Sequence, residues 1–294
     1  MEGIVNVLKP PGMTSSNAVA DVRHLFDMKR VGHTGTLDPG AAGVLPICLG
    51  RATRLFDYLV DKEKEYYAEV AFGCATDTQD SYGTVIACGE GIVRMEKLQA
   101  VLPAFIGEIE QVAPMYSAVC VDGKRLYQLA REGAEKIRKT RRVLVHALEP
   151  VAQTGENRFL LRVQCSKGTY VRTLCHDIGQ ALGCGACMSS LRRTKAGMFT
   201  LQQAMTIEQL LEFTKENDPQ ALLMPVDALF AEYPPLIVEL GQAEKLRNGA
   251  QVKDWHFAPG TYRVYSITGE FLLLGKVENT VLTTIKSFFE VTKA

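Results

Sequence analysis

The 294-residue sequence predicts an α+β fold with a mixed, largely antiparallel sheet, followed by a small β-rich module. Strand-like and helix-like segments mix without the regular alternation of a parallel doubly wound sheet. The segment 64–73 (KEYYAEVAFG) alternates with period two, which is typical of a half-buried strand. At Tyr233-Pro234-Pro235 the pattern changes to short strands. We therefore expect one domain over 1–232 and a second over 233–294.

The N-terminal segment predicts a strand, a turn and a helix. Residues 3–8 alternate weakly and end at the turn-forming sequence KPPG. Ser15 or Ser16 is expected to cap the helix that follows. The apolar face of this helix has helical spacing and comprises Ala18, Val19, Val22, Leu25 and Phe26. A second helix is expected around 51–61.

The remaining elements follow from the same patterns. Alternation in 64–73 places Tyr66, Ala68, Val70 and Phe72 on one face of the strand. Further strands are predicted near 83–88, 115–121, 142–152 and 158–166. Further helices are predicted near 94–104, 124–132, 170–182 and 206–215. In the C-terminal module, a helix at 241–249 precedes two strands that join at 267–270.

Composition and charge exclude several classes of protein. Hydrophobic residues make up 47% and charged residues 22%, which is typical of a globular chain with a sizeable core. Lys+Arg and Asp+Glu number 33 each, so a nucleic acid could be bound only through a local patch. No apolar run is long enough for a membrane helix and no secretory leader is recognisable, which favours the cytoplasm.

The strongest local excess of positive charge lies at 124–142. Its basic residues, which face only Glu132 and Glu135, are Lys124, Arg125, Arg131, Lys136, Arg138, Lys139, Arg141 and Arg142. Such a run is usually a solvated surface, and the alternative is a patch that binds phosphates.

The eight cysteines lack the spacing of a disulfide framework, so we expect buried thiols in a reducing compartment. Cys184 and Cys187, with Cys175-His176 upstream, could supply four zinc ligands. A structural zinc site usually has two such pairs, and here there is one. Ordinary thiols are therefore favoured, and no metal is expected.

One carboxylate, Asp38, stands out in the glycine-rich segment 32–40 (GHTGTLDPG). The common phosphate-binding, dinucleotide-binding, nucleophile-elbow and zinc-protease motifs are absent from the sequence. An Asp before Pro is most often a turn or cap residue. The surrounding glycines offer an alternative, because they let the backbone approach a flat ligand and hold a carboxylate at its edge.

A buried carboxylate stays ionised only with a cation or hydrogen-bond donors nearby. The best candidate for such a partner is the segment 166–172 (SKGTYVR), a polar junction between a strand and a helix. It offers Lys167, Tyr170 and Arg172, although an arginine in a first helical turn is also a common surface charge.

Five segments resemble, in the same order, motifs of the TruB family of tRNA pseudouridine-55 synthases. They are KPPGMTS (9–15), GHTGTLDPGAAGVLPICLG (32–50), KEYYAEVAFGCATDTQDSYG (64–83), PMYSAVCVDGKRLYQLAREG (114–133) and CSKGTYVRTLCHDIGQALGCGA (165–186). The resemblance spans roughly 3–230, and the ordered succession of five motifs makes it specific. The tail from about 235 resembles the small RNA-binding PUA module of many bacterial members.

The resemblance implies a pseudouridine synthase fold and a cofactor-free isomerisation of a flipped-out uridine in the T loop of tRNA. Asp38 matches the catalytic carboxylate of the family, and Arg172 matches the arginine that pairs with it. An adjacent opposite charge lowers the pKa of a carboxylate by about 1–3 units and would keep Asp38 ionised. Tyr66 matches the active-site tyrosine, whose ring could stack on the detached uracil. Without the resemblance, Tyr66 would be interpreted as a core aromatic.

Four further positions match family residues around the site. Tyr170 and Leu191 match pocket-lining residues, and Lys9 matches a basic residue near the catalytic loop. His33 matches a histidine that contacts the T loop where the base leaves. A scaffold role is the alternative for each of them.

The basic run at 124–142 falls where the family has a segment that closes over RNA. The resemblance thus implies the T arm and T loop of tRNA as partner and no small-molecule cofactor. The lack of a long apolar run predicts no membrane partner. We expect a monomer, and the sequence leaves the oligomeric state open.

Two other functions stay open: an RNA-binding or tRNA-folding factor, and a nucleoside glycosidase. A pure binder would tolerate loss of the Asp38 carboxylate, and a glycosidase would not need a grip on the T loop. The combination of Asp38, Tyr66 and Arg172 therefore favours the isomerase. Whether Asp38 first attacks C1′ or removes a sugar proton is left open.

Overall fold

The computed structural model describes residues 1–60, 62–117, 119–121, 123–132, 140–253 and 257–289. Its strands are β1 (Gly3–Lys9), β2 (Val31–His33), β3 (Ala42–Leu49), β4 (Lys64–Phe72), β5 (Cys74–Thr76), β6 (Val85–Cys88), β7 (Gly107–Val112), β8 (Cys120–Val121), β9 (Lys124–Arg125), β10 (Thr140–Gly155), β11 (Arg158–Cys165), β12 (Ala186–Ala196), β13 (Phe199–Thr200), β14 (Pro235–Val238), β15 (Gly260–Ser266), β16 (Phe271–Glu278) and β17 (Val281–Ser287).

The α-helices are α1 (Ser15–Leu25), α2 (Phe56–Val60), α3 (Met95–Val101), α4 (Leu126–Arg131), α5 (Val171–Ala181), α6 (Ile207–Glu216) and α7 (Leu240–Arg247). Short 3-10 helices lie at Gly50–Leu55, Leu102–Phe105, Leu201–Gln203, Pro219–Leu222 and Val226–Phe230. None of the helices in the described ranges is long and apolar enough to cross a membrane.

A nine-stranded sheet organises residues 3–200, with its main path in the order β1-β3-β12-β4-β11-β10-β7. The strands β2 and β13 pair with β3 and β12 off this path. Neighbouring strands are antiparallel except β3 and β12, which run parallel. The predicted α+β fold with a mixed, largely antiparallel sheet is thus confirmed.

The hydrophobic core lies on the face of the sheet that the β4 alternation predicts. Tyr66, Ala68, Val70 and Phe72 are all buried. They pack in one cluster with Val22 of α1, with Phe26 just after that helix, and with Leu174 and Ile178 of α5. The opposite face is polar, and there the Glu65 carboxylate accepts from Arg162 at 2.8 Å. This arrangement fixes α1 and α5 against the centre of the sheet, where the candidate site forms.

The first helix is capped differently from the prediction. The Thr14 hydroxyl, rather than that of Ser15 or Ser16, accepts from the backbone N–H of Asn17. Ser15 is buried, and its hydroxyl both donates to the Leu37 carbonyl and accepts from the Leu37 N–H, each at 2.9 Å. The prediction was wrong because Ser15 bonds to a distant loop, which local sequence does not reveal.

Five strands of the sheet were not predicted, namely β2, β3, β7, β12 and β13. β3 is buried at every position after its first, so it carries no period-two signal. β12 lies between β3 and β4 and is interrupted by register shifts against β4, which break the alternation. The strand expected at 115–121 is reduced to β8, and the helix expected at 51–61 begins as a 3-10 helix.

The C-terminal residues form a second sheet with the order β14-β15-β16-β17. It has a hydrophobic cluster of its own that includes Val238, Leu246 and Val264. Arg54 donates to the carbonyls of Ser287 and Phe289 and thereby joins this sheet to the first. The predicted helix at 241–249 and the strands on either side of 267–270 are present. The domain boundary at 233 stays a prediction.

Three cysteines depart from the expectation of free buried thiols. Cys74 and Cys88 are joined by a disulfide across the β5–β6 pair. Cys120 is exposed, and the free thiols of Cys48, Cys165, Cys175, Cys184 and Cys187 are buried. The sequence expectation was wrong for Cys74 and Cys88, because only the hairpin brings these residues into register. Within the described ranges, no group of three or more His, Cys, Asp or Glu side chains is placed to hold a metal.

The contact between Ser15 and Leu37 can be tested against the neighbouring serine. We expect Ser15→Ala to lower the free energy of unfolding by about 2 kcal/mol, because two buried backbone groups lose their partner. Ser16→Ala, at an exposed position, is expected to change it by less than about 0.5 kcal/mol. Urea unfolding followed by circular dichroism measures both. Equal effects of the two substitutions would contradict the contact.

Candidate active site

The loop between β2 and β3 carries Asp38 and is held from several sides. Ser15 fixes Leu37, and the N–H of Gly12 donates to the Pro39 carbonyl at 2.8 Å. At the start of β3, Gly43 has a φ of +117°, and a Cβ atom there would lie 2.1 Å from the backbone oxygen of Arg193. Only glycine permits this approach of β3 to β12. The position of Asp38 is therefore set by the sheet beneath it.

Arg172 lies in the first turn of α5 and is paired with Asp38. The Arg172 Nε atom lies 2.8 Å from Oδ2 of Asp38, and Nη2 donates to Oδ1 at 3.3 Å. The same guanidinium donates to the carbonyls of Thr78 and Tyr116, both at 3.0 Å. Only 5% of the arginine side chain is exposed. The structure thus brings together the two residues that the resemblance pairs.

Asp80 is the second carboxylate at this guanidinium, because its Oδ2 lies 3.4 Å from Nη1 of Arg172. Its Oδ1 accepts from the Thr78 hydroxyl at 2.7 Å and from the N–H of Tyr82 at 3.0 Å. Sequence analysis did not single out Asp80, although it lies in one of the five matching segments. A carboxylate in a polar turn such as DTQDSYG gives no signal of its own.

The net shift in the pKa of Asp38 is opposite to the one expected from the sequence. Burial raises the pKa of Asp38, Arg172 lowers it, and the charge of Asp80 raises it further, while Lys9 lowers it. The net pKa lies above the ordinary value, whereas the sequence argument considered only the lowering by Arg172. The loops surround the carboxylate on most sides, yet 38% of the Asp38 side chain meets solvent, so water moderates the effect of burial.

Lys9 holds the loop from below without touching the Asp38 carboxylate. Its ammonium donates to the carbonyls of Pro10 at 2.8 Å, Met13 at 2.7 Å and Pro39 at 3.3 Å. The residue is fully buried, and burial lowers the pKa of Lys9 to about 8, against the opposing effect of Asp38. Lys9 therefore stabilises the loop conformation next to Asp38.

Tyr66 and Leu191 lie on the sheet face beneath the loop that carries Asp38. In the pairing of β4 with β12, Arg193 is opposite Tyr66 and Leu191 is opposite Ala68, so these side chains share one face. The Tyr66 phenol is buried, and burial raises the pKa of Tyr66, whereas the charge of the nearby Arg193 lowers it. The Asp38 charge acts on the same phenol. Tyr66 is thus both a core aromatic and a neighbour of Asp38.

Arg193 is the other residue that sequence analysis missed. It is 1% exposed, and it donates to the carbonyls of Val44 at 2.7 Å and Gly35 at 3.1 Å. Arg193 therefore connects the loop that carries Asp38 to β3 and lies next to Tyr66. The pair Arg192-Arg193 could have been resolved by period-two alternation, but β12 was not recognised as a strand.

His33 and Tyr170 lie at the margins of the site. The His33 Nδ1 atom accepts from the N–H of Gly35 at 3.3 Å, and burial and Arg193 lower the pKa of His33. The imidazole is therefore neutral at pH 7. Tyr170 precedes α5, where Gln111 binds its backbone, and its ring faces the Arg141 guanidinium at 5.1 Å.

A cavity of about 730 Å³ lies beside the loop that carries Asp38. His33 and Thr34 line it, whereas Asp38, Tyr66 and Arg172 do not. Its basic lining residues are Arg23, Lys29 and Arg30. A positively charged cavity next to the loop suits a phosphate-bearing ligand.

Much of the predicted basic patch at 124–142 lies outside the described residues. Positions 133–139 are not described, nor are the side chains of Lys124, Arg125 and Arg131. Of the remainder, Arg141 faces Tyr170, and the exposed Arg142 lies 3.6 Å from Glu110.

Comparisons with known proteins agree with this geometry. Residues 23–171 match the TruB family pseudouridylate synthase (N terminal domain), and residues 172–231 match the tRNA pseudouridylate synthase B C-terminal domain. The chain is 47% identical over 260 residues to tRNA pseudouridine synthase B of Symbiobacterium thermophilum, covering 85% of this chain and 82% of the relative. It is 39% identical over 293 residues to tRNA pseudouridine synthase B of Clostridium kluyveri, covering 98% and 100%.

A solved structure of an H/ACA ribonucleoprotein, bound to a substrate RNA containing 2′-deoxyuridine, has a similar fold. Its TM-score is 0.71 at 26% identity, over 99% of this chain and 86% of the other. These matches define an enzyme of the pseudouridylate synthase class. Within that class, the chain belongs to the TruB family.

The electrostatic role of Asp80 predicts a shift in a measurable pKa. Asp80→Asn removes a negative charge that disfavours ionisation of Asp38, so we expect the pKa of Asp38 to fall. Asp77→Asn, in the same segment but bound to the N–H of Thr84, is the control and is expected to leave it unchanged. Carbon-13 NMR titration of the Asp38 carboxyl measures both. A rise with Asp80→Asn would contradict the assignment.

Because Arg193 is buried, its substitution is expected to destabilise the protein far more than substitution of the exposed Arg192. We expect Arg193→Met to lower the free energy of unfolding by about 3 kcal/mol, because the carbonyls of Val44 and Gly35 lose their donor. Arg192→Met, at an exposed position, is expected to cost less than about 0.5 kcal/mol. Urea unfolding of the two variants provides the comparison, and similar midpoints would argue against this role of Arg193.

Proposed function

We propose that this protein converts the uridine at position 55, in the T loop of tRNA, into pseudouridine. The observation that carries the proposal is the ion pair of Asp38 with Arg172, a buried arginine that also donates to the carbonyls of Thr78 and Tyr116. The relatives named tRNA pseudouridine synthase B support tRNA as the substrate. The T loop and position 55 follow from the resemblance of the five motifs.

The reaction is an isomerisation and balances without a cofactor. The N1–C1′ bond breaks, C5 forms a bond to C1′, the C5 proton leaves, and N1 becomes an N–H. Asp38 supplies a carboxylate that attacks C1′ or removes a sugar proton as the first bond breaks, and that assists loss of the C5 proton later. Both routes require the ionised form of Asp38. Because the pKa of Asp38 is raised, activity is expected to fall as the medium becomes acidic.

Arg172 holds this carboxylate in one orientation and supplies compensating charge. Its fork contacts both oxygens of Asp38. Tyr66 and Leu191 lie on the sheet face beneath, and we propose that they contact the detached uracil while it turns. Stacking on an aromatic ring contributes about 1–3 kcal/mol per base, which suits a base that must rotate without escaping.

We propose that the T arm lies across the catalytic loop and the basic cavity beside it. A uridine inside a folded loop must be flipped out before Asp38 can reach it. The neutral His33 ring, at the edge of the cavity, is placed to stack where the base leaves. Arg23, Lys29 and Arg30 would contact phosphates. We further propose that the enzyme acts as a monomer in the cytoplasm.

The proposal is tested by tritium release from C5-labelled uridine in unmodified tRNA. We expect Asp38→Asn to reduce turnover at least about a thousandfold, more than about 4 kcal/mol of transition-state stabilisation, because the amide can neither attack nor accept a proton. Its affinity for tRNA is expected to stay nearly unchanged. Base mapping of the product locates the modified position.

Three results would overturn the assignment. An Asn variant with a tenth of the wild-type rate would remove Asp38 from the chemistry. Binding without tritium release by the wild type would favour the alternative, an RNA-binding or tRNA-folding factor. Release of free uracil would indicate a glycosidase.

A further inference from the structure

We infer that Tyr82 is a stacking platform for the base of a nucleotide next to the target uridine. The inference rests on the proposed function, because it requires an RNA substrate at Asp38. Tyr82 lies in the matching segment 64–83, but neither the resemblance nor the proposed chemistry assigns a role to its side chain.

Tyr82 is fixed to the catalytic centre through its backbone. Its N–H donates to Oδ1 of Asp80 at 3.0 Å, and the other oxygen of Asp80 contacts Arg172. Arg172 in turn pairs with Asp38. One carboxylate therefore links the backbone of Tyr82 to the arginine that orients the catalytic group.

The Tyr82 ring lies against the catalytic loop on its other side. A Cβ atom at Gly40, two residues after Asp38, would lie 2.3 Å from Cε2 and 2.9 Å from Cζ of the ring. The absence of a side chain at Gly40 is what lets the ring edge contact the loop. Tyr82 is thus held beside the catalytic residue from two directions.

The ring is nevertheless 75% exposed, the highest value among the large hydrophobic side chains of the described ranges. A ring with one edge fixed and its faces open offers a flat surface at the margin of the site. Flipping a nucleotide out of a folded loop unstacks its neighbours. An aromatic ring at this position replaces the lost stacking, and every base can use it because every base has a π face.

The apolar surface of the same hairpin offers a competing explanation. Val85 and Ile86 in β6 are also exposed, so the hairpin could contact RNA through general apolar burial. Stacking requires an aromatic ring, whereas apolar burial requires only surface area. Substitutions at Tyr82 that keep or remove the ring therefore separate the two explanations.

The experiment compares Tyr82→Phe, Tyr82→Leu and the hairpin control Ile86→Ala on an unmodified T-arm stem-loop RNA. Single-turnover tritium release at increasing enzyme concentration gives the half-saturating concentration and the maximal rate. We expect Tyr82→Leu to raise the half-saturating concentration about tenfold and to leave the maximal rate within about twofold, in line with the loss of one stacked base. Tyr82→Phe and Ile86→Ala are expected to match the wild type.

Base-deleted RNAs identify the stacking partner. An abasic residue on the 5′ or the 3′ side of the target is placed in the stem-loop. At the partner position, we expect the abasic residue to weaken binding by the wild type about tenfold and to add nothing to Tyr82→Leu. Unchanged half-saturation of Tyr82→Leu would overturn the inference. So would an equal loss with Ile86→Ala, or a Tyr82→Leu defect that persists fully on both abasic RNAs.

Fluorescence anisotropy of a labelled stem-loop measures the same affinities without catalysis. If the wild type releases no tritium but Tyr82→Leu still weakens binding, the proposed function fails and the stacking contact stands. If the wild type releases tritium and Tyr82→Leu binds normally, the stacking contact fails and the proposed function stands.

Discussion

The site depends on a single buried guanidinium, that of Arg172. A charged group with 5% of its side chain exposed is stable only if its donors find acceptors. Three segments supply these acceptors to the arginine of α5: the loop with Asp38, the turn with Thr78 and Asp80, and the chain at Tyr116. Satisfying one cation thus forces three loops that are distant in sequence to converge. The Asp38 carboxylate is positioned as a consequence.

The balance of charge at this guanidinium also sets the state of Asp38. Two carboxylates share one arginine, so the charge of Asp80 disfavours ionisation of Asp38 while the cation favours it. A carboxylate that must act first as an anion and later assist a proton transfer benefits from a pKa above its ordinary range. Lys9, bonded to carbonyls below the loop, adds positive charge without occupying the carboxylate.

Sequence reasoning recovered what local pattern encodes. The alternation of β4 predicted its buried face, and the glycines around Asp38 marked a loop that approaches other backbone. β3 was not predicted because burial on both faces removes the alternation. Because β12 was not predicted either, the inward side chain of Arg193 could not be distinguished from the outward side chain of Arg192. Asp80 was not identified because its role depends on the contact with Arg172, which is distant in sequence. The pairing of Cys74 with Cys88 was not identified because only the register of the hairpin brings them together.

The disulfide between Cys74 and Cys88 closes a covalent ring that contains Thr78, Asp80 and Tyr82. Cross-linking removes conformational entropy from the opened states of such a ring, so the segment opens less often than a free loop of equal length. The acceptors of Arg172 are therefore arranged before any substrate arrives. Less of the binding free energy of an RNA then goes into ordering this side of the pocket, and more stays available for unstacking the nucleotide that reacts.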